Sequence, residues 1–286
     1  MAPSLIPPTP GDRLKPDRRD AGQRARLARS GDLTAVDVPT GEDAAIRDLT
    51  RARDEPSSAL QDATSRLNAC LRRHDSRDTG RAHWGPAHRR WLSAVVCPTP
   101  AHQLVFHEDG RAVSEHNDRL QRLDQARRAH VPAWRLAPVV EALQAWRGGQ
   151  LIAAVTLVAD RGDRTRVESP RALMKCRGLL PSDYSAGEQR RQGSLTNAGN
   201  THARRVLVDG AWADRYPATV SRPRQRRLGK PPQVIQDLRW QAQVRRCQRY
   251  RRRSSRGQHA HGVTVASARE LRGFRWAMAT EVPAIA

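Results

Sequence analysis

Residues 178–212, GLLPSDYSAGEQRRQGSLTNAGNTHARRVLVDGAW, hold the features around which the rest of the chain is arranged. The stretch begins with a glycine and proline turn, continues as a polar loop and ends in an apolar segment that predicts a helix. Such a loop can bind phosphate groups, because guanidinium and backbone N–H groups donate hydrogen bonds to phosphate oxygens. The candidate phosphate-binding side chains are Arg190, Arg191, Asn200, Arg204 and Arg205.

The charge of the whole chain favours the same kind of ligand. Among 286 residues there are 51 Lys and Arg against 29 Asp and Glu, which gives a net charge of +22. Lysine occurs at only three positions, so 48 of the basic residues (51 minus 3) are arginines. Arginine binds phosphates and guanine edges through its forked donors, and nucleic acid is therefore the expected partner. A GC-rich coding sequence would account for some of the arginine, but not easily for its clustering.

Other classes of protein fit the sequence less well. The four cysteines lie far apart, without a Cys-x-x-Cys pair or a secretory segment, which predicts a reduced, cytoplasmic protein. The ten histidines form no zinc-binding pattern. No run reaches the ~18 apolar residues that a membrane-spanning helix needs, so no membrane association is expected.

Two carboxylates near the N-terminus form a candidate metal site. Residues 1–16 contain five prolines and predict a loop, after which a helix is expected to run as far as Gly31. Asp17 and Asp20 would share one face of that helix, where they repel each other unless a divalent cation lies between them. The alternative is that both only complement the helix dipole in its first turn.

Two amphipathic helices are predicted in residues 42–75 and 106–129, and they most simply form an antiparallel hairpin. Pro56 is expected to kink or break the first helix. Apolar residues of the second helix recur in steps of seven, as in a coiled coil, at Phe106, Val113 and Leu120. A hairpin of this kind could be a structural arm, a dimerisation element or a cradle for nucleic acid.

A second pair of short helices is predicted on either side of Arg147-Gly148-Gly149. Helix, glycine turn and helix is the outline of a helix-hairpin-helix motif, whose turn offers backbone N–H groups to a DNA phosphate. A helical hairpin that only contributes to the core is an equally good interpretation, since Gln150 stands where a second turn glycine is usual. Both interpretations remain open at this point.

The C-terminal segment carries the densest positive charge of the chain. A helix is predicted from about Val234 to Arg253, and a final helix from 264 to 280. The residues predicted to be buried in the first of these are Ile235, Leu238, Val244 and Cys247. Its other face is basic and is expected to contact the phosphate backbone of nucleic acid through Arg245, Arg246 and Arg249.

Three motifs occur in an order that resembles one known family. They are KPDRRDA at 15–21, GLLPSDYSAG at 178–187 and GNTHARRVLV at 199–208. Together they resemble the insertion-sequence transposases of the IS110/IS116/IS902 group, whose catalytic set is Asp-Glu-Asp-Asp. The resemblance implies a mainly α fold in four parts. These are the remnant of an RuvC-like catalytic domain (1–35), a helical coiled-coil spacer (36–132), a serine-bearing transposase domain with a helix-hairpin-helix-like start (133–228) and a basic helical tail (229–286).

The same resemblance implies an activity and a set of partners. Similar enzymes transpose DNA by strand cleavage and exchange, with Mg²⁺ at the RuvC-like site and a serine in the C-terminal domain. Carried over to this sequence, Asp17 and Asp20 would be the metal-binding acids and Ser185 a stand-in for the catalytic serine. The implied partners are DNA, in some members a structured guide RNA, and further copies of the chain in a homo-oligomer. The implied location is the bacterial cytoplasm, in association with the nucleoid.

The sequence departs from the family pattern at three places. Only sixteen residues precede Asp17, and none of them is an acid on a strand. Ala186 stands where the family has its serine, and Asn197 stands where it has a lysine. These departures predict a truncated and impaired copy of a transposase. The alternative is a catalytically inactive remnant that binds nucleic acid or interferes with the multimer of an intact relative.

Overall fold

The computed structural model describes residues 6, 17–33, 38–78, 80, 84–160, 179, 181–183, 189, 192–196, 199–220, 225 and 232–282. This part of the chain is mainly α-helical, which confirms the predicted fold class. The chain divides into two compact units, Met1–Thr40 and Gly41–Ala286. No helix in the described ranges is both long enough and apolar enough to cross a membrane.

The first unit contains helix α1, Asp17–Ser30. The predicted stop at Gly31 is confirmed, because this glycine has a φ of 77°, a conformation that ends helices and that glycine adopts without strain. Ser30 then donates a hydrogen bond to the Asp32 carboxylate at 2.6 Å. None of the residues of α1 is buried, so this helix presents its side chains to solvent all round.

The second unit begins with α2 (Gly41–Arg51) and α3 (Asp54–Arg73), which are separated at Ala52 and Arg53. Pro56 explains the break. A proline ring clashes with the carbonyl group four residues earlier, here that of Ala52, and proline has no N–H group to donate to it. Ala52 still ends α2 with an N–H bond to the Asp48 carbonyl at 2.8 Å. The predicted break is thus confirmed, a few residues before Glu55.

Helix α4 (Pro86–Ala94) leads to α5 (Pro100–His130), which packs against α3 as an antiparallel hairpin. The direction follows from the ion pairs along the hairpin, in which rising numbers on α3 meet falling numbers on α5. The pairs are Arg53 with Asp124 at 2.8 Å, Glu55 with Arg119 at 3.0 Å and Arg66 with Asp109 at 3.4 Å. The predicted seam of Phe106, Val113 and Leu120 is buried.

After a short 3₁₀ turn, Val131–Ala133, come helices α6 (Ala137–Gln144) and α7 (Leu151–Ala159). The glycine turn between them packs against the chain rather than standing free. Gly148 has a φ of 81°, and a Cβ atom built on it would lie 2.9 Å from the carbonyl oxygen of Gly210. This close approach matches the core-forming interpretation of the helical hairpin.

The remaining helices are α8 (Thr201–Ala211), which continues into a 3₁₀ turn at Trp212–Arg215, α9 (Gln233–Ser254) and α10 (Ala260–Glu281). They enclose one hydrophobic core with α2, α6 and α7, in which Trp134 and Trp146 are fully buried. Trp134 donates its indole N–H to Asp43 of α2 at 2.8 Å, which satisfies the polar atom of a buried ring. This core runs across positions 132 and 228, where the sequence suggested domain boundaries.

Two short strands add an element that the sequence did not predict. Strand β1 (Pro181–Asp183) pairs antiparallel with β2 (Gln192–Leu195), with Pro181 opposite Leu195 and Asp183 opposite Gln192. Leu179, just before β1, is buried in the main core. Strand β1 therefore begins two residues after a side chain of the main core.

The predicted register of α9 is wrong at one candidate site residue. Arg246 was placed on the basic outer face, but it is fully buried, and Leu238 and Val244 are only half-buried. The buried stripe runs at the 3.6-residue period of a helix and includes two arginines. Its members are Ile235, Arg239, Ala242, Gln243, Arg246, Cys247 and Tyr250, so the predicted burial of Ile235 and Cys247 is confirmed.

Candidate nucleic-acid interface

The first part of the candidate interface is the N-terminal end of α8. Asn200 is the N-cap residue, and its side-chain oxygen accepts a hydrogen bond from the Ala203 N–H at 2.9 Å. Asparagine is favoured there because it satisfies a backbone donor that the helix leaves free. Arg204 donates to the Thr201 hydroxyl at 3.3 Å, and Arg205 is exposed. Asn200 thus shapes the helix start, and Arg205 is the more accessible cation.

His202, in the first turn of α8, lies between two carboxylates. Its Nε2 is 3.2 Å from Asp54 and its Nδ1 is 3.3 Å from Asp160, which is buried. The contact between Nδ1 and Asp160 is within ion-pair distance, but its geometry is not that of a hydrogen bond. The interaction with Asp160 is the largest cause that raises the pKa of His202, with a smaller contribution from Asp54 and with partial burial opposing both. The imidazole therefore carries positive charge over a wider pH range than a free histidine.

The second part of the candidate interface, here called the arginine cluster, consists of Arg245, Arg249, Arg253 and Arg269 around Glu270. Arg245 and Arg249 both form ion pairs with Glu270, the second at 3.2 Å, and their side chains are 65% and 50% exposed. Burial lowers the pKa of Arg253, and the nearby charges of Arg249 and Arg269 lower it further while Glu270 opposes them. Two guanidinium groups pair with this carboxylate, and Arg253 and Arg269 add their charges nearby, so the cluster is strongly positive.

Arg246 has a different environment from its two predicted companions. Its guanidinium group lies 3.0 Å from the Asp214 carboxylate, and both side chains are completely buried. The guanidinium carbon also stands 4.6 Å from the centre of the Trp146 ring, a cation–π distance. A side chain held in this way stabilises the packing of α9 on the core, whereas Arg245 and Arg249 face solvent.

Some of the predicted site residues cannot be placed. Ser185, Arg190 and Arg191, together with Ala186, lie outside the described residues. In sequence they fall between β1 and β2, so the connection that carries them starts and ends on paired strands. Their assigned roles stay predictions.

Asp17 and Asp20 lie in the first turn of α1, as predicted. Asp20 forms an ion pair with Arg24, one turn later. Among the described residues there is no group of three or more histidine, cysteine or acidic side chains that could hold a metal ion. Mg²⁺ is often held by one or two carboxylates, with waters and substrate phosphates filling its other octahedral positions, so Asp17 and Asp20 could supply only part of its ligands.

Two residues that line the same cleft, His202 and Arg127, are not among the predicted site residues. His202 was treated only as part of a helix, although it lies in the same motif as Arg204 and Arg205. Arg127 is 1% exposed and occupies the position seven residues after Leu120, so it continues the buried seam of α5. The seven-residue spacing could have predicted the burial of Arg127, because it places an arginine in a series of apolar core positions.

Comparisons with known proteins agree with the motifs. Residues 140–225 match the family model described as Transposase IS116/IS110/IS902 family. The chain is similar to the protein y4qE of Sinorhizobium fredii, which is named as a transposase, with 42% identity over 98% of this chain and 69% of that protein. It is also similar to the transposase for insertion sequence element IS1533 of Leptospira borgpetersenii, with 26% identity over 82% of this chain and 69% of that protein. The chain therefore belongs to the IS116/IS110/IS902 family and is a transposase, an enzyme that acts on DNA.

Proposed function

We propose that this transposase holds the phosphate backbone of its nucleic acid on the arginine cluster, with further contacts from Arg204 and Arg205 at the start of α8. The observation that carries the proposal is the charge of the cluster, in which four arginines stand against one carboxylate that pairs directly with two of them. Arg245 and Arg249 are 65% and 50% exposed, so their guanidinium groups can donate to phosphate oxygens although Glu270, their common partner, is largely buried. Each phosphate contact releases condensed counterions, which makes binding strongly dependent on salt.

The double variant Arg245→Gln, Arg249→Gln tests this interface. We expect weaker binding to duplex DNA and a shallower dependence of log K on log salt concentration, by about 0.9 for each phosphate contact that is lost. Glutamine can still donate to Glu270, so the fold is retained. Fluorescence anisotropy at a series of salt concentrations measures both quantities.

The matched control is Arg111→Gln, Arg122→Gln, which removes the same charge from exposed positions on α5. Equal slopes for the two double variants would show that only net charge matters and would contradict the proposed interface. The same titration with a folded RNA hairpin tests the guide-RNA part of the proposal. Light scattering on these samples measures the molar mass of the protein and so tests whether it forms a homo-oligomer. An interface of this kind also fits a cytoplasmic protein associated with the nucleoid.

Strand cleavage is assigned, within the same proposal, to Asp17 and Asp20 with Mg²⁺ and to Ser185. The motif around the two aspartates supports this assignment, but the metal would need ligands beyond these two carboxylates. Any nicking of supercoiled DNA that depends on Mg²⁺ is expected to disappear in Asp17→Ala and to persist in Asp32→Ala, which removes a carboxylate from the turn after α1. Nicking that persists in Asp17→Ala would contradict the role of Asp17.

A second candidate function is supported by Ala186, which stands at the position of the family's serine. In that case the chain binds nucleic acid without cutting it. A wild-type protein that binds DNA with a steep salt dependence, but gives no nicked product at any Mg²⁺ concentration, would favour this function over strand cleavage.

A further inference from the structure

A polar cleft lies where the base of the helical hairpin meets α7 and α8. Its volume is about 280 Å³, large enough for a phosphate group and several waters. The cationic side chains that line it come from three helical regions: Arg53 precedes α3, Arg127 is on α5, and His202 and Arg205 are on α8. The hydroxyl groups of Ser57 and Ser58 also line it. Every lining residue named here belongs to the second unit.

Arg127 is the unusual member of this cleft. Its side chain is 1% exposed, yet none of its three guanidinium nitrogens has a hydrogen-bond partner among the residues the structure describes. Its ion-pair partner, Oδ1 of Asp124, is 3.9 Å from Nη1, beyond hydrogen-bond distance. Burial lowers the pKa of Arg127 in spite of this neighbour. A buried cation whose N–H donors have no acceptor costs free energy, so such groups in native proteins normally have a partner from the protein, an ordered water or a ligand.

Three of the four carboxylates near the cleft are already engaged by other cations. Asp124 accepts from Arg53 at 2.8 Å, and Asp54 pairs with His202. Asp160 pairs with His202 and lies 3.7 Å from Arg51. Asp209 also lines the cleft, and its side chain is exposed at the surface of α8. Arg127 therefore keeps only its longer ion pair with Asp124, and its guanidinium donors stay without a hydrogen-bond acceptor among the described residues.

We propose that this cleft binds a phosphate group, with Arg127 as its central donor and with Arg53, Arg205 and His202 at its edge. The guanidinium fork of Arg127 matches phosphate geometry, and the two serine hydroxyls can complete the set of donors. The first turn of α8 adds the positive end of a helix dipole. The phosphate could belong to the backbone of the nucleic acid, in which case the inference rests on the proposed function, or to a free anion.

The test compares wild type with Arg127→Met, which keeps the length of the side chain and removes its charge. In wild type, inorganic phosphate at about ten times its Kd is expected to raise the Tm by ~3 °C over chloride of equal ionic strength, with saturation. In Arg127→Met the saturable rise should be absent. In chloride alone the variant should be at least as stable as wild type, because a buried charge without hydrogen-bond acceptors has been replaced by an apolar group.

Duplex DNA titrated against the same two proteins identifies the source of the phosphate. If the cleft binds a backbone phosphate of DNA, Arg127→Met should reduce the slope of log K against log salt concentration by about 0.9. If the cleft binds a free anion, the substitution should leave DNA binding unchanged. The arginine-cluster variant separates this inference from the proposed function, since it should lose DNA affinity and keep the response to inorganic phosphate. An equal Tm rise in wild type and Arg127→Met, with equal DNA slopes, would overturn the proposal. If Arg127→Met does not fold, the test is the ³¹P NMR signal of inorganic phosphate in the presence of wild type. Broadening of that signal would support phosphate binding, and a signal that stays sharp would overturn the proposal.

Discussion

Asp214→Ala is expected to lower the free energy of unfolding by about 3–5 kcal/mol, because it leaves a buried guanidinium group without its counter-charge. Asp214 lies in the 3₁₀ turn after α8, where it pairs with Arg246 of α9 at 3.0 Å and accepts a hydrogen bond from Ser267 of α10. It thus joins three helical elements. Urea denaturation followed by circular dichroism measures the change.

The control for this prediction is Asp237→Ala on the exposed side of α9, where Asp237 accepts a hydrogen bond from Gln233 of the same helix. Its expected effect is within about 0.5 kcal/mol. Adding Arg246→Met to Asp214→Ala should recover part of the lost stability, since the uncompensated charge is then gone. A double variant less stable than Asp214→Ala would contradict the electrostatic explanation.

Gly148→Val is expected to cost about 3–5 kcal/mol, through backbone strain and a steric clash. The φ of 81° at this position is unfavourable for any residue with a Cβ, and most of all for a β-branched one. The new Cβ would also lie 2.9 Å from the carbonyl oxygen of Gly210 in α8, a backbone atom that cannot move away alone. The loss should appear as a lower urea midpoint or as insoluble protein.

Gly110→Ala is the matched substitution without strain. Gly110 is in the middle of α5, and a Cβ atom there would meet nothing within 4 Å. Because alanine favours helices more than glycine does, this variant should be more stable than wild type by about 0.5–1 kcal/mol. Destabilisation by both glycine variants to the same degree would contradict the role given to the contact between Gly148 and Gly210.

The sequence predicted those parts of the fold that depend on short-range patterns. The seven-residue steps of Phe106, Val113 and Leu120 were sufficient for α5, and Pro56 was sufficient for the break before α3. The register of α9 could not be found in this way, because Arg246 was counted as a surface residue by its type. Its burial depends on Asp214 and Trp146, which are 32 and 100 residues away in sequence (246 minus 214, and 246 minus 146).

In the candidate site, too, features that depend on adjacent residues could be predicted and features that depend on distant residues could not. The motif of Asn200 and Arg204 was recognised from adjacent residues, and the cap of α8 forms there. The cleft could not be predicted, because Arg53, Arg127 and His202 meet only when the hairpin packs against α8. The strands β1 and β2 were also missed, since three or four residues without apolar alternation give no strand signal.

The main core unites Ile46 of α2 with Val282 after α10, which are 236 residues apart (282 minus 46). During synthesis, the ribosome must therefore release nearly the whole second unit before this core can close. Until then Trp134, Trp146 and their neighbours are open to water, and long-range closure of this kind is slow and prone to aggregation. The nascent enzyme accordingly exposes apolar side chains that can aggregate during most of its synthesis.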